Sequence, residues 1–189
     1  MSLFMGSMLS GAFNLIMDRF MGVHESYLST PLRKLDINLG ILLSGTLVTL
    51  VSSTLVLGIG MLITGARIHG GLAGYAAMFG LMVLTGLGML AMTMLIIGRA
   101  GHPRIAGILN GFLNVLLFFP SGALYPLASF PRWLRVFAQV DPETHAVAAL
   151  KAILFRGGDI SAAGQHVAWL AVFTAVMLFF STLTMKRTL

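Results

Sequence analysis

The chain has 189 residues, of which 57% are hydrophobic and 10% charged, with a formal net charge of +6 and no cysteine. Soluble domains carry about 25% charged residues, so this composition excludes a water-soluble globular domain. The missing cysteines exclude disulfides, thiolate metal sites and cysteine nucleophiles.

Residues 37–66, 68–98, 105–131 and 160–185 contain no Lys, Arg, Asp or Glu, and a shorter uncharged run opens the chain at 1–17. A helix crossing a bilayer needs roughly 20 mostly apolar residues. In lipid every backbone N–H and C=O must be paired internally, which leaves helices or a closed barrel. Barrel strands alternate apolar and polar residues. Ile41-Leu42-Leu43 and Leu95-Ile96-Ile97 do not alternate, so the spacing predicts helices. The expected fold is an all-α polytopic membrane protein of about five spans: A (1–17), B (38–65), C (72–98), D (105–128) and E (167–185).

Between A and B, residues 18–34 place Phe20, Val23, Tyr27 and Leu28 at helical spacing with charged residues between them. That pattern describes a short amphipathic helix lying on the membrane surface or against a partner. Pro31 stops it, because proline cannot continue the hydrogen-bond ladder. Gly70 and Gly74 at the start of C, and Gly107 and Gly111 within D, form G-x-x-x-G pairs. Such pairs let helix backbones approach closely, either as general packing or as a dimer seam.

Segment D ends in a stretch broken by Pro120, Pro126 and Pro131. Broken backbone at membrane depth needs shelter from protein or a water-filled cavity. Tyr125 and Trp133 suit the head-group level. Farther on, Ala146, Val147, Leu150, Ile153 and Leu154 share one face. The 129–158 region therefore reads as short helices that dip back or lie flat on the outer leaflet.

Basic residues give the orientation. With 18–36 in the cytoplasm, the inner side holds Arg19, Arg33, Lys34, Arg99, Arg104, Lys186 and Arg187. The outer side holds Arg67 and, on the long 129–166 segment, Arg132, Arg135, Lys151 and Arg156. Short loops carry the most weight in this rule, and they favour that assignment. The basic residues are spread over loops rather than stacked on one face, which fits membrane lipids and not nucleic acid.

No G-x-x-x-x-G-K-[ST] phosphate loop, H-E-x-x-H or G-x-S-x-G occurs. His24, His69, His102, His145 and His166 have no histidine three or four residues away, so no metal site is expected. No carboxylate lies between Asp36 and Asp141. Ion-coupled carriers keep ionisable groups within the membrane, so the pattern argues against a secondary carrier.

Taken together, the two unusual segments resemble the permease subunit of type-2 ATP-binding-cassette (ABC) exporters. The first matching stretch is Asp18, Arg19, Gly22, Glu25, Leu28, Thr30 and Pro31. The second is Ser121, Gly122, Pro126, Leu127, Pro131, Trp133, Leu134, Asp141, Pro142 and Thr144, with Lys151 where the family often has a basic residue. The resemblance implies a single permease domain over 1–189. Residues 18–34 would be a cytoplasmic coupling helix docking into a separate nucleotide-binding ATPase subunit, with Asp18, Arg19, Gly22, Glu25, Tyr27, Thr30 and Pro31 as its contacts. Residues 129–158 would form external helices over the path. A second permease copy or homologue would complete the transporter. The chain itself would hold no cofactor, no metal and no catalytic group, because ATP belongs to the partner.

Two departures stand out. Phe20 occupies a position where many members have Glu. The family has six spans after a cytoplasmic amphipathic helix, whereas this chain begins at what matches the second span. A fragment, a misassigned start or a further polypeptide would account for that. The implied cargo is hydrophobic, drug-like or lipid- or glycan-linked, exported across a bacterial or archaeal cytoplasmic membrane. The competing readings are a non-transporting scaffold or truncated permease, and a secondary carrier.

Overall fold

The computed structural model describes residues 34–65, 71–97, 102–155 and 160–187. Among them every regular element is helical. The order is α1 (Lys34–Thr64), α2 (Gly71–Ile97), α3 (Pro103–Phe118), two 3₁₀ turns (Phe119–Ser121 and Leu127–Ser129), α4 (Arg132–Ala138), α5 (Pro142–Phe155) and α6 (Ile160–Arg187). Four helices are long and apolar enough to cross a membrane, over Leu39–Ile63, Gly71–Ile96, Arg104–Ser121 and Ala163–Leu183. They are segments B, C, D and E. The fold is all-α and polytopic, as the uncharged runs require. Segment A lies outside the described residues.

Two boundaries differ from the sequence expectation. Segment D ends as a helix at Phe118 and as an apolar span at Ser121, not at 128. Pro120 brings no N–H to the ladder, and Gly122 turns the chain at φ +72°. Segment E begins at Ile160 rather than 167. Ala163 is buried against α5, so Gln165 and His166 are carried on the helix instead of in a loop.

α2 is the central helix. Of its most apolar stretch 61% is buried within the chain, against 17–22% for the other spans. One side packs Met78, Leu81 and Met82 against Ala146, Ala149, Ala152 and Ile153 of α5 and Ala163 and Leu170 of α6. Farther along, Leu90, Ala91 and Met94 meet Leu42 of α1 and Ala106 of α3. Water exclusion does not drive helices together inside lipid; close packing of small residues does. The seams follow that rule. A Cβ on Gly88 would lie 2.5 Å from Thr174 Oγ1, so the backbones of α2 and α6 approach closely there. Gly86 faces Thr49 and Thr46 of α1 more loosely, where an added Cβ would make ordinary contact with their methyls at 3.5 and 4.0 Å. Thr46 and Thr49 return their hydroxyl protons to Leu42 O and Gly45 O one turn earlier (2.7 and 2.8 Å), which keeps both groups satisfied in a dry seam.

Candidate functional site

The residues of the second motif converge where α3 breaks. A helix end leaves carbonyls without partners, and in an apolar setting each unpaired group is expensive. Here side chains take them up. Ser121 Oγ donates to Phe118 O at 2.6 Å and accepts from Ala123 N at 3.3 Å. Thr144 Oγ1 of α5 stands 3.3 Å from Pro120 O. Lys151 Nζ, two turns farther along α5, donates to Gly122 O at 2.7 Å. The broken end of α3 is thus closed by a neighbouring helix.

Gly122 is required at this turn for two reasons. Its φ of +72° is left-handed, where an L side chain is strained, and a Cβ would press on Leu127 at 3.2 Å. Aromatic rings surround the break: Phe119 lies 6.4 Å from Tyr125 and 6.1 Å from Phe130, centroid to centroid.

Asp141-Pro142-Glu143-Thr144 opens α5. Asp141 is the N-cap, accepting from the backbone N–H groups of Glu143 and Thr144 at 3.2 Å each. Pro142 follows at the first helical position, where a missing N–H costs nothing. Thr144 Oγ1 also lies 2.8 Å from Asp141 Oδ2, so its single proton is shared between the cap and Pro120 O. Asp141 is 2% exposed. Burial lifts its carboxyl to about 6, against the pull of the Thr144 hydroxyl and the two N–H groups. Burial, reinforced by the nearby Asp141 charge, pushes Glu143 up to about 8, and its Oε2 has no hydrogen-bond partner. Glu143 is therefore largely protonated at neutral pH.

A second polar contact joins α5 to α6. His145 Nδ1 lies 2.9 Å from His166 Nδ1, and His145 Nε2 lies 2.9 Å from Gln139 O. A carbonyl only accepts, so His145 carries its proton on Nε2. In the neutral ring its Nδ1 then accepts from His166 Nδ1–H. The His145 ring stacks on Trp169 at 4.2 Å, and Trp169 stacks on Phe173 at 5.5 Å. No sequence spacing announced this pair, because its members are 21 residues apart on different helices. Among the described residues no group of three or more His, Cys, Asp or Glu is placed to hold a metal ion.

Of the expected external-motif residues, Ser121, Gly122 and Pro142 are buried together at this junction. Pro126, Pro131 and Trp133 are exposed around it. The apolar face of α5 is turned to protein rather than lipid: Ala146, Ala149, Ala152 and Ile153 pack on α2 and α6. Gly107 and Gly111 meet no atom within 4 Å of an added Cβ, so this pair packs against nothing in the described chain. Gly74 is buried at the start of α2, and Gly70 lies outside the described residues. Asp18, Arg19, Gly22, Glu25, Tyr27, Thr30 and Pro31 lie outside them too.

The sequence is 24% identical over 160 residues to the probable doxorubicin resistance ABC transporter permease protein DrrC of Mycobacterium tuberculosis, strain CDC 1551 / Oshkosh, and equally to that of strain ATCC 25618 / H37Rv. The alignment covers 85% of this chain and 57% of those relatives. The chain thus spans less than two thirds of the length of the curated relatives it matches. The family model described as ABC-2 type transporter matches residues 1–155, a range holding both motif stretches and the α3–α5 junction. With that match over most of its length and four apolar helices of spanning length, the chain belongs to the ABC-2 type transporter family.

Proposed function

We propose that the chain is the membrane-spanning permease subunit of an ATP-driven exporter in a bacterial or archaeal cytoplasmic membrane. The family match over residues 1–155 carries this reading, together with four spans that leave no described carboxylate within the apolar helices. Energy then comes from a separate nucleotide-binding subunit, and this chain performs no hydrolysis. A second copy or a homologue supplies the other half of the path.

In this reading residues 18–34 are the coupling helix. Asp18, Arg19 and Glu25 meet charges on the ATPase, Tyr27 is an apolar anchor, Gly22 allows close approach, and Thr30-Pro31 ends the helix. The α3–α5 junction closes the outer end of the path. The relatives are named for doxorubicin resistance, which favours a drug-like cargo over a small ion. The apolar composition of α1 and α3, with the Ser and Thr hydroxyls of α1, suits such a cargo.

Co-purification from membranes with the ATPase subunit encoded beside it tests the reading, using the native chain and Glu25→Arg. The native chain should retain the ATPase. The charge reversal should weaken association at least tenfold, since opposing one charge of a docked pair costs about 2 kcal/mol or more, while membrane insertion stays unchanged. Equal retention by both variants would remove residues 18–34 from the interface. No retention by either would favour a non-transporting scaffold.

A further inference from the structure

His145 joins three elements. Its Nε2–H reaches the carbonyl of Gln139, the C-cap of α4, at 2.9 Å. Its Nδ1 meets His166 Nδ1 of α6 at 2.9 Å. Its ring lies on Trp169 of α6, 14° from parallel. Both imidazoles are half-buried. The two histidines meet head-on. Their ring centroids are 5.2 Å apart and the facing nitrogens 2.9 Å. The difference is about two ring radii, so each Nδ1 lies on the line joining the rings. One proton fits on that line and two do not.

Proton counting gives the consequence. In the neutral pair the Nε2–H of His145 and the Nδ1–H of His166 are both in use, and the open lone pair is His166 Nε2. A first proton goes there. No bond is lost, and His166 Nδ1–H now donates from a cation, in a bond about twice as strong as a neutral one. A second proton has only His145 Nδ1 left. It would set two N–H groups and two positive charges against each other at 2.9 Å. The second proton therefore breaks the bond.

The neighbouring charges leave this order intact. On α5, Asp141 spends its oxygens on Glu143 N, Thr144 N and Thr144 Oγ1. Glu143 is buried with Oε2 unpartnered, and Lys151 is held on Gly122 O. α4 presents the Gln139 carbonyl, with Arg135 exposed one turn earlier. α6 presents the rings of Trp169 and Phe173. α2 brings Met78, Leu81 and Met82 to this seam, and Tyr75, its one ionisable residue, is exposed. Among the described residues no ion pair reaches either imidazole.

We propose that His145 and His166 form a one-proton site that locks α5 to α6, tightened by a first proton and released by a second. His145 stays on Gln139 O and the Trp169 face, so His166 is the ring that swings away. In the exporter reading above, on which this consequence alone rests, acid at the outer face frees the cover of the path from α6.

The test uses the full chain in nanodiscs and reads the pair whether or not the chain transports. Trp133→Phe leaves Trp169 as the sole tryptophan, because the chain has two. A stacked imidazolium quenches indole emission and a neutral imidazole far less, so Trp169 reports the charge on His145. His166→Leu opens the Nδ1 of His145, and emission should then fall on acidification in the ordinary histidine range, at about pH 6.5. With His166 in place the fall should come about one pH unit lower or more, because the first proton goes to His166. His166→Gln restores a donor without a charge and should move the fall back toward the native position. Asp141 and Glu143 are present in all three chains, so their titration does not produce the difference. A fall at one common pH in all three would overturn the proposal. So would a His166→Gln chain that behaves as His166→Leu, since charge repulsion alone would then hold the proton off His145. Nitrogen–nitrogen coupling across the bond, in the native chain with isotope-labelled histidine, is a second readout that needs no variant. It should persist from about pH 8 to about pH 6 and be lost by about pH 4. Loss of coupling already at about pH 6 would overturn the tightening by a first proton.

Discussion

Glu143 shows how a single buried carboxyl sets a pH response. Its folded-state pKa of about 8 stands above the ordinary 4.5, because burial and then the Asp141 charge disfavour ionisation. Below pH 4.5 the carboxyl is protonated whether the chain is folded or not, so it makes no difference to stability. From about 4.5 to about 8 the unfolded chain gives up the proton while the folded chain keeps it. Stability therefore falls as pH rises through that window and levels off above it. Glu143→Gln has nearly the same shape and never ionises. It should match the native chain in unfolding temperature at pH 4 and exceed it at pH 8.5. A difference that stays constant with pH would mean the carboxyl is ionised in the folded chain.

At the level of the element, α3 depends on α5 to finish its end. The bond from Lys151 Nζ to Gly122 O is charge-assisted and 2.7 Å long. Lys151→Met keeps the apolar stem and leaves that carbonyl to whatever water reaches it. The expected loss is about 1.5 kcal/mol, the low end for a bond to a charged group, because Lys151 is exposed. Denaturant unfolding in detergent measures it, and Lys151→Arg should recover most of the loss. If Lys151→Met unfolds at the native midpoint, water already serves the carbonyl equally well. That segment D breaks was legible in the sequence from Pro120, Pro126 and Pro131, but its end at Phe118 rather than 128 was not, because the uncharged run continues to residue 131. The partners of the freed carbonyls were not legible, since Gly122 and Lys151 are 29 residues apart and lysine spacing says nothing about which carbonyl it finds. His145 and His166 escaped for the same reason. The face of α5 was half legible. The spacing puts Ala146 and Ile153 on one apolar face, but hydropathy alone cannot distinguish a neighbouring helix from lipid, and α2 and α6 supply the surface that covers them.

At the level of the whole molecule, the four spans could be counted from the sequence, yet their arrangement rests on small residues that hydropathy does not separate from their neighbours. Gly88 and Gly107 both sit in apolar helices, and the G-x-x-x-G spacing drew attention to Gly107. The structure assigns them different duties. A Cβ at Gly88 would lie 2.5 Å from Thr174 Oγ1 and 3.3 Å from the Phe173 ring, whereas at Gly107 it would meet open space. Thr174 Oγ1 also donates to Leu84 O at 3.1 Å, so the clash falls on a hydroxyl bonded across the α2–α6 seam. Gly88→Ala must push α6 outward or turn Thr174 away, at about 1–3 kcal/mol for overpacking. Because α2 is the helix on which α1, α5 and α6 all pack, the displacement should lower the unfolding midpoint of the entire bundle as one transition. Thr174→Ala removes the obstructing oxygen, so Gly88→Ala with Thr174→Ala should be more stable than Gly88→Ala alone. That non-additivity is the signature of direct contact. Gly107→Ala should not lower the unfolding midpoint of the isolated chain, because its Cβ meets open space and alanine favours the helix. A loss of self-association in Gly107→Ala, with the chain otherwise intact, would mark the α3 face as the seam with a second copy. If instead Gly88→Ala proves neutral and the double substitution adds nothing, the α2–α6 seam is wider than the structure has it, and the central position of α2 rests on its methionine and leucine contacts alone.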